Sequence, residues 1–451
     1  MNHKIEKMTV STTNACKLCT PLGASIVFRG VKGAIPIVHG SQGCATYMRR
    51  YLIGHFREPV DIASSNFTES STIFGGGSNL KQGLLNIIAQ YKPEFIGIAS
   101  SCLSETIGDD LKIILNEFKK ENKDIKLPEI VSVSTPSYMG SHINGYYKAV
   151  NQIVETCAQP GEEIDQINLI STFISPADIR YLKGVLEDFK QNYVFLPDYS
   201  DTFDGPVWNK YHRIPKGGTE IEKIKSMGKS KATLQLGLAF PDEIAGKYLE
   251  KKMNVPFQGL DLPIGIYLSD RFFESLEKMT GLKTPLKYLS TRERLIDAYI
   301  DAHKYVFGKR VAIYGDDDLV VALTSFLTEI GMKPILCATG SNSTTFVNKI
   351  KNLTRDLETG PKILNNVDFF DIEKQINQLE PDLLVGNSKG YSITKKTNTP
   401  LLRVGFPIHD RFGAGRVLSL GYEGTFRLFD ELVNLLITQK QKASPIGYAY
   451  L

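Results

Sequence analysis

A chain of 451 residues is too long for one hydrophobic core and predicts two to four domains. Its 42% hydrophobic and 23% charged residues are ordinary for a globular protein, and a net charge of +4 gives no basis for binding nucleic acid or a membrane surface. The sequence has no apolar run long enough to span a bilayer, the start "MNHKIEKMTVSTTNACK" lacks the apolar segment of a secretory leader, and six cysteines do not make a disulfide framework, so a cytoplasmic, reducing setting is expected.

Along the chain, short apolar runs alternate with amphipathic stretches. "EFIGIASS" (94–101) predicts a buried strand and "ETIGDDLKIILNEFKKEN" (105–122) the helix after it. "INLISTFI" (167–174) predicts a strand, and "PADIRYLKGVLEDFKQN" (176–192) a helix. The region 200–230 breaks the rhythm and reads as a long surface connection. "RVAIYG" (310–315), "KPILCATG" (333–340), "DLLVGN" (382–387) and "PLLRVGF" (400–406) are further strands, with "DDLVVALTSFLTEIG" (317–331) a helix between the first two. Phe426, Phe429, Leu432 and Leu436 recur at helical spacing in a terminal amphipathic helix, 425–443. Strands alternating with helices predict βαβ units and mostly parallel sheets. The rhythm restarts near 167 and near 309, so three α/β domains are expected, at 1–165, 166–300 and 301–451.

No phosphate-binding G-x-x-x-x-G-K-[ST] and no well-placed G-x-G-x-x-G occurs, so no nucleotide site is expected. "GDDD" (315–318) follows a strand; Mg²⁺ binding is one reading, and an acidic helix start is the expected one.

The cysteines carry more information. Cys16 and Cys19 form a C-x-x-C pair in "NACKLCTPLGA" (14–24), where Pro21 and Gly23 predict a turn. Cys44 ends "HGSQGC", between the strand "AIPIVH" and the helix "ATYMRRYLIGHF". Cys102 follows the strand "FIGIASS" and precedes an acidic helix start. Two of these thiols therefore lie past the carboxyl ends of strands, the edge where open α/β sheets bind ligands. A helix N-terminus there is expected to lower the thiol pKa and favour the metal-binding thiolate. The wide spacing from Cys19 to Cys44 to Cys102 does not suit a compact zinc module, but suits a site assembled from three loops. Three inert, packed thiols are the alternative.

Together, "CTPLGA", "HGSQGC", "HFREPVDIASSNFTE", "FGGGSNL", "SSCLSETIGDDL", "TPSYMGSHINGY" and "GFPIHDRFG" resemble nitrogenase component 1 in its β-type branch, from about Asn14 to the last helix and in the same order. The resemblance implies three Rossmann-like domains with mostly parallel sheets. In the catalytic β subunit, cysteines in motifs like those of Cys19, Cys44 and Cys102 hold half of a P-cluster, [8Fe–7S], whose other half comes from the α partner. The serine in "TPSYMGSH", here Ser137, can be a further ligand in the oxidised state. In the paralogous N subunit of the iron–molybdenum cofactor scaffold, a [4Fe–4S] cluster is shared with an E-type subunit, and better-described N subunits keep only the cysteine matching Cys44.

Three features are similar to the scaffold branch and make it the expected one. The β pattern "NPxKTCQP" is here "NACKLCTP"; a small "GA" follows Asp410-Arg411-Phe412; and the tail "SPIGYAYL" is like scaffold chains. That membership implies a heterotetramer with the E-type subunit, electrons from the ATP-driven nitrogenase iron protein, a cofactor precursor on the partner delivered by a cofactor-core maturase, and an electron-transfer or scaffold role within an oxidoreductase family rather than the catalytic one. The catalytic β chain is the alternative, and a cluster-free structural partner a third.

Among the remaining residues, Cys16 is either an assisting ligand beside Cys19 or a thiol without a fixed partner. Cys157 and Cys337 lie in apolar stretches and are expected in the core. His39, His55 and His142 lie near the cysteine motifs and are expected to be structural, each with a local partner. Ser137 is expected to cap a turn after Pro136. "FGGGSN" (74–79) can cradle an anion or simply start a helix. Arg49 and Arg50 face either solvent or a partner.

Overall fold

The computed structural model describes residues 15–446, so Asn14 and the end of the tail motif lie outside the described residues. Three sheets follow one another along the chain. The first contains β1 (Ala34–His39), β2 (Ala63–Ser64), β3 (Phe95–Ser100) and β4 (Glu129–Val133), in the spatial order β2-β1-β3-β4. The second contains β5 (Ile164–Ser171), β6 (Tyr193–Leu196), β7 (Ser230–Leu236) and β8 (Phe257–Leu260), in the order β6-β5-β7-β8. The third contains β9 (Arg310–Gly315), β10 (Lys333–Thr339), β11 (Lys362–Leu364), β12 (Leu383–Gly386) and β13 (Leu401–Arg403), in the order β11-β10-β9-β12-β13. The strand pairs within these sheets are parallel, as crossover helices require.

β1 and β3 are buried along their whole length, which is why they read as unbroken apolar runs. The chain leaves β1 toward β2 on one side and β3 lies on the other. The crevice between the carboxyl ends of β1 and β3, where His39 pairs with Ser100, is therefore a topological switch point. One core runs from the first sheet through the second into the third, so the three layers are packed together. Among the described residues no helix is long and apolar enough to cross a membrane.

The structure departs from the sequence expectations in three places. Pro21 and Gly23, expected to make a turn, lie in the helix Thr20–Arg29, with Pro21 in its first turn where a missing N–H costs nothing. All ten residues are buried, so no polar face betrays the helical period. The helix expected over 105–122 is two helices, Cys102–Ile107 and Leu111–Glu121. Gly108, at φ +81°, ends the first, and the Asp110 carboxylate caps the second by accepting from Lys112 N at 2.8 Å and Ile113 N at 3.1 Å. The region 200–230 is not simply a surface connection. It contains the helix Ile221–Ser226, and it holds the end of the Thr20–Arg29 helix: Thr202 Oγ1 donates to Arg29 O at 3.1 Å and Thr219 N to Gly30 O at 2.8 Å.

Candidate metal centre

Each of the three expected cysteines sits at a helix N-terminus. Cys19 is the residue before the Thr20–Arg29 helix, Cys44 lies in the first turn of Gln42–Phe56, and Cys102 opens Cys102–Ile107. The Cys44 helix is started by Ser41, whose Oγ accepts from Gly43 N at 3.1 Å. The Cys102 helix is started by a reciprocal pair: Ser104 N donates to Ser101 Oγ at 3.2 Å, and Ser101 N donates to Ser104 Oγ at 2.9 Å. Since β1 and β3 are neighbours, these two helices begin side by side at the switch point.

Cys19 reaches the same place by packing. Its helix crosses His142–Cys157 so closely that a Cβ on Gly23 would lie 1.7 Å from His142 O, and one on Gly145 1.9 Å from Thr20 O. Only glycine fits at either position. The approach is locked by His142 N donating to Leu18 O at 2.9 Å and Leu18 N donating to His142 Nδ1 at 3.3 Å.

Ser137 joins two of the cysteine helices. Its backbone N–H donates to Cys102 Sγ at 3.2 Å, and its Oγ accepts from Thr20 N at 3.2 Å. It was expected to cap the turn after Pro136. It does open the short turn Ser137–Met139, but its side chain caps the Cys19 helix instead, because Thr20 N has no intrahelical partner.

The electrostatics differ from expectation. Burial raises the Cys19 thiol pKa; the Ser137 hydrogen bond opposes this, and the charge on Cys102 adds to it. Burial also raises Cys44, with added repulsion from Cys19 and Cys102. At Cys44, desolvation and repulsion thus outweigh the helix N-terminus that was expected to lower its pKa. The coupling also places the three thiols within one another's field. Cys44 is exposed, while Cys19 and Cys102 are half-buried. Among the described residues no three His, Cys, Asp or Glu side chains converge closely enough for a single metal ion. A polynuclear cluster fits the donor set: three thiols at three helix N-termini would surround a larger body, whose positive irons would stabilise the thiolates that burial disfavours at Cys19 and Cys44.

The other candidates divide clearly. Cys16 is buried and does not share this site; it belongs to the core of the third sheet with Tyr314, Leu336 and Phe369. Burial pushes its thiol up to about 12. Cys157 and Cys337 are buried, as their apolar surroundings implied. His39 bonds Ser65 Oγ and Asp109 Oδ2, both at 3.0 Å. His55 Nδ1 accepts from Ile408 N at 2.9 Å, and burial pushes its pKa down to about 3. His142 supports the Cys19 arm and has Nε2 3.1 Å from Asp316 Oδ1. In "FGGGSN" the anion on the backbone is the protein's own: the Asp109 carboxylate accepts from Gly76 N at 2.9 Å. In "GDDD", Asp316 precedes the helix Asp317–Glu329, and Asp318 ties the layers by accepting from Tyr147 Oη at 2.6 Å and Leu238 N at 2.8 Å. Arg49 donates to Val60 O at 3.0 Å, whereas Arg50 is exposed.

Sequence reasoning missed Tyr47, Tyr51 and Lys389. The rings of Tyr47 and Tyr51 meet on the Cys44 helix at 4.7 Å between centroids, tilted by 50°, and Lys389 reaches the site from the third sheet. The only available signal was the position of the tyrosines one and two turns beyond Cys44; nothing marked Lys389.

The family described as nitrogenase component 1 type oxidoreductase matches residues 19–437. The nitrogenase molybdenum-iron protein beta chain of Clostridium pasteurianum is 38% identical over 431 residues, covering 95% of this chain and 94% of that one. The nitrogenase iron-molybdenum cofactor biosynthesis protein NifN of Bradyrhizobium diazoefficiens is 31% identical over 446 residues, covering 96% and 92%. A solved structure described as nitrogenase Cp1 at pH 6.5 superposes with a TM-score of 0.95 at 36% identity, covering 99% of this chain and 98% of that one. With the cysteine motifs, the parallel sheets and the whole length accounted for, the chain belongs to the nitrogenase component 1 family, in its β-type branch.

Proposed function

We propose that this chain is the β-type half of a component 1 complex, in which Cys19, Cys44 and Cys102 supply half of the ligands of an iron–sulfur cluster shared with an α-type partner. The carrying observation is the half-site itself: three thiols at three helix N-termini, two of those helices joined by Ser137, with Cys44 exposed at the surface. Bound there, the cluster supplies one-electron transfer. The chain's residues do the rest. The three cysteines release their protons on loading. Ser137 N–H and the free N–H groups of the helix starts stabilise thiolate charge. Two such pairs form a heterotetramer, with electrons arriving from an ATP-driven iron protein.

The complete three-cysteine set together with Ser137 favours a P-cluster-type centre, and so a catalytic β chain whose partner reduces N₂. This reverses the order given by the sequence motifs alone. A second reading keeps specific support: Ala15 and Thr20 stand where the catalytic pattern has proline and glutamine, and Gly413 and Ala414 follow Phe412. In that case the chain is the N-type subunit of the cofactor scaffold. It would hold a [4Fe–4S] relay while a precursor on an E-type partner, delivered by a maturase, is completed.

Anaerobic purification of the complex, with iron and molybdenum counted and acetylene reduction assayed, separates the two. A P-cluster iron count with acetylene reduction supports the catalytic chain. A [4Fe–4S] count without that activity supports the scaffold. A complex without cluster iron contradicts both.

A further inference from the structure

We propose that Lys389 is a positioning residue for the cluster half-site, tying the Cys19 arm to the Cys44 helix from the third sheet. This rests on the cluster reading above.

Lys389 lies in the short turn Ser388–Gly390, just past the carboxyl end of β12. Its Nζ donates to Ala15 O at 2.7 Å, on the arm four residues before Cys19. The same Nζ lies 5.8 Å from the centroid of the Tyr51 ring, two turns beyond Cys44. One side chain therefore touches both ligand-bearing elements, 374 residues apart in the case of Ala15.

The turn that carries Lys389 is held rigid. Lys389 N donates to Asn387 Oδ1 at 3.1 Å, Asn387 Nδ2 donates to Phe406 O at 3.1 Å, and Ser388 N donates to Pro407 O at 3.0 Å. The next residues of that loop grip the Cys44 helix directly, through Ile408 N on His55 Nδ1 at 2.9 Å and His409 Nε2 with Tyr51 O at 3.2 Å. On the other side the arm is docked on the third sheet. Ala15 pairs with Asp368, Lys17 Nζ donates to Asn366 Oδ1 at 3.2 Å, and a Cβ on Gly340 would lie 2.5 Å from the Cys16 carbonyl carbon. The third sheet is thus a brace across the half-site, and Lys389 is its contact with both ends.

The lysine also brings a positive charge to the Cys19 arm, with its Nζ on Ala15 O. A cation near a cluster favours the reduced, more negative state. Lys389→Met keeps much of the stem but removes the charge and the donor; Lys389→Arg keeps both.

The test uses the complex purified anaerobically, with the cluster potential measured by titration. Lys389→Met is expected to shift the potential negative by about tenfold in the one-electron equilibrium, about 59 mV, or to lose the cluster. Lys389→Arg is expected to stay near wild type. A wild-type potential in Lys389→Met, or equal loss in both variants, overturns the proposal. A second readout is independent of any cluster: alkylation of Cys16 and Cys19 in the metal-free full chain, followed by mass spectrometry. Release of the arm is expected to speed it severalfold in Lys389→Met and not in Lys389→Arg, and an unchanged rate overturns the brace. Should wild-type complex carry no cluster, the proposed function falls while the alkylation result still decides the role of Lys389.

Discussion

Ser137 and Cys102, 35 residues apart, are joined by a hydrogen bond of 3.2 Å from backbone N–H to Sγ. The bond survives any substitution at Ser137 that leaves the backbone in place, whereas the cap on Thr20 N needs the hydroxyl. Ser137→Ala is therefore expected to cost about 1 kcal/mol, the usual worth of an N-terminal cap, in urea denaturation of the metal-free chain. In the loaded complex it should alter the spectrum of the oxidised cluster more than that of the reduced one. A variant with wild-type stability would show that the hydroxyl caps nothing.

The glycine crossing makes a stronger prediction. Gly23→Ala and Gly145→Ala each drive a methyl into backbone, at 1.7 and 1.9 Å, where no side chain can yield. Each is expected to destabilise by about 3 kcal/mol or more and to displace Cys19, so that less iron is retained. Gly83→Ala, which meets nothing within 4 Å inside the helix Gly77–Tyr91, is the control. It should be neutral or stabilise by up to about 1 kcal/mol, read by thermal unfolding.

Asp317 gives a pH signature. It is fully buried, with Oδ1 unpartnered, and burial raises its carboxyl pKa to about 7, with the charges of Asp318 and Asp316 adding to the shift. A carboxyl raised on folding binds its proton more tightly in the native state. Its contribution is therefore favourable at low pH and is lost as pH rises from about 4 to about 7. The loss is about 4 kcal/mol at its upper limit. Asp317→Asn should remove this slope, so that the stability difference between variant and wild type grows from pH 5 to pH 7.5. Parallel pH profiles in chemical denaturation would contradict the assignment.

What the sequence made legible followed from burial and local chemistry. β3 and β9 read as strands because both faces are covered, and Cys44 and Cys102 were placed correctly because a strand end and a helix start flank each of them. The Thr20–Arg29 helix was hidden because it is buried all round and has no polar face to set its period. Cys16 looked like a partner of Cys19 at three residues' spacing. Whether two nearby thiols face one site depends on what each side of the arm packs against, and Cys16 packs against the third sheet. Lys389 was invisible for the same reason: its role lies in a contact with Ala15, which no local pattern encodes. The Cys44 thiol pKa went the other way because desolvation, and repulsion from Cys19 and Cys102, are properties of the assembled site.

The central claim is that Cys19, Cys44 and Cys102 together hold an iron–sulfur cluster. It is tested most directly by iron content and visible absorption of anaerobically purified complex carrying Cys44→Ala. Cys44 is exposed, so its removal leaves the core intact. The expected result is a folded complex that has lost cluster iron and the brown colour of the wild type. A Cys44→Ala complex with wild-type iron and an unchanged spectrum would contradict the account.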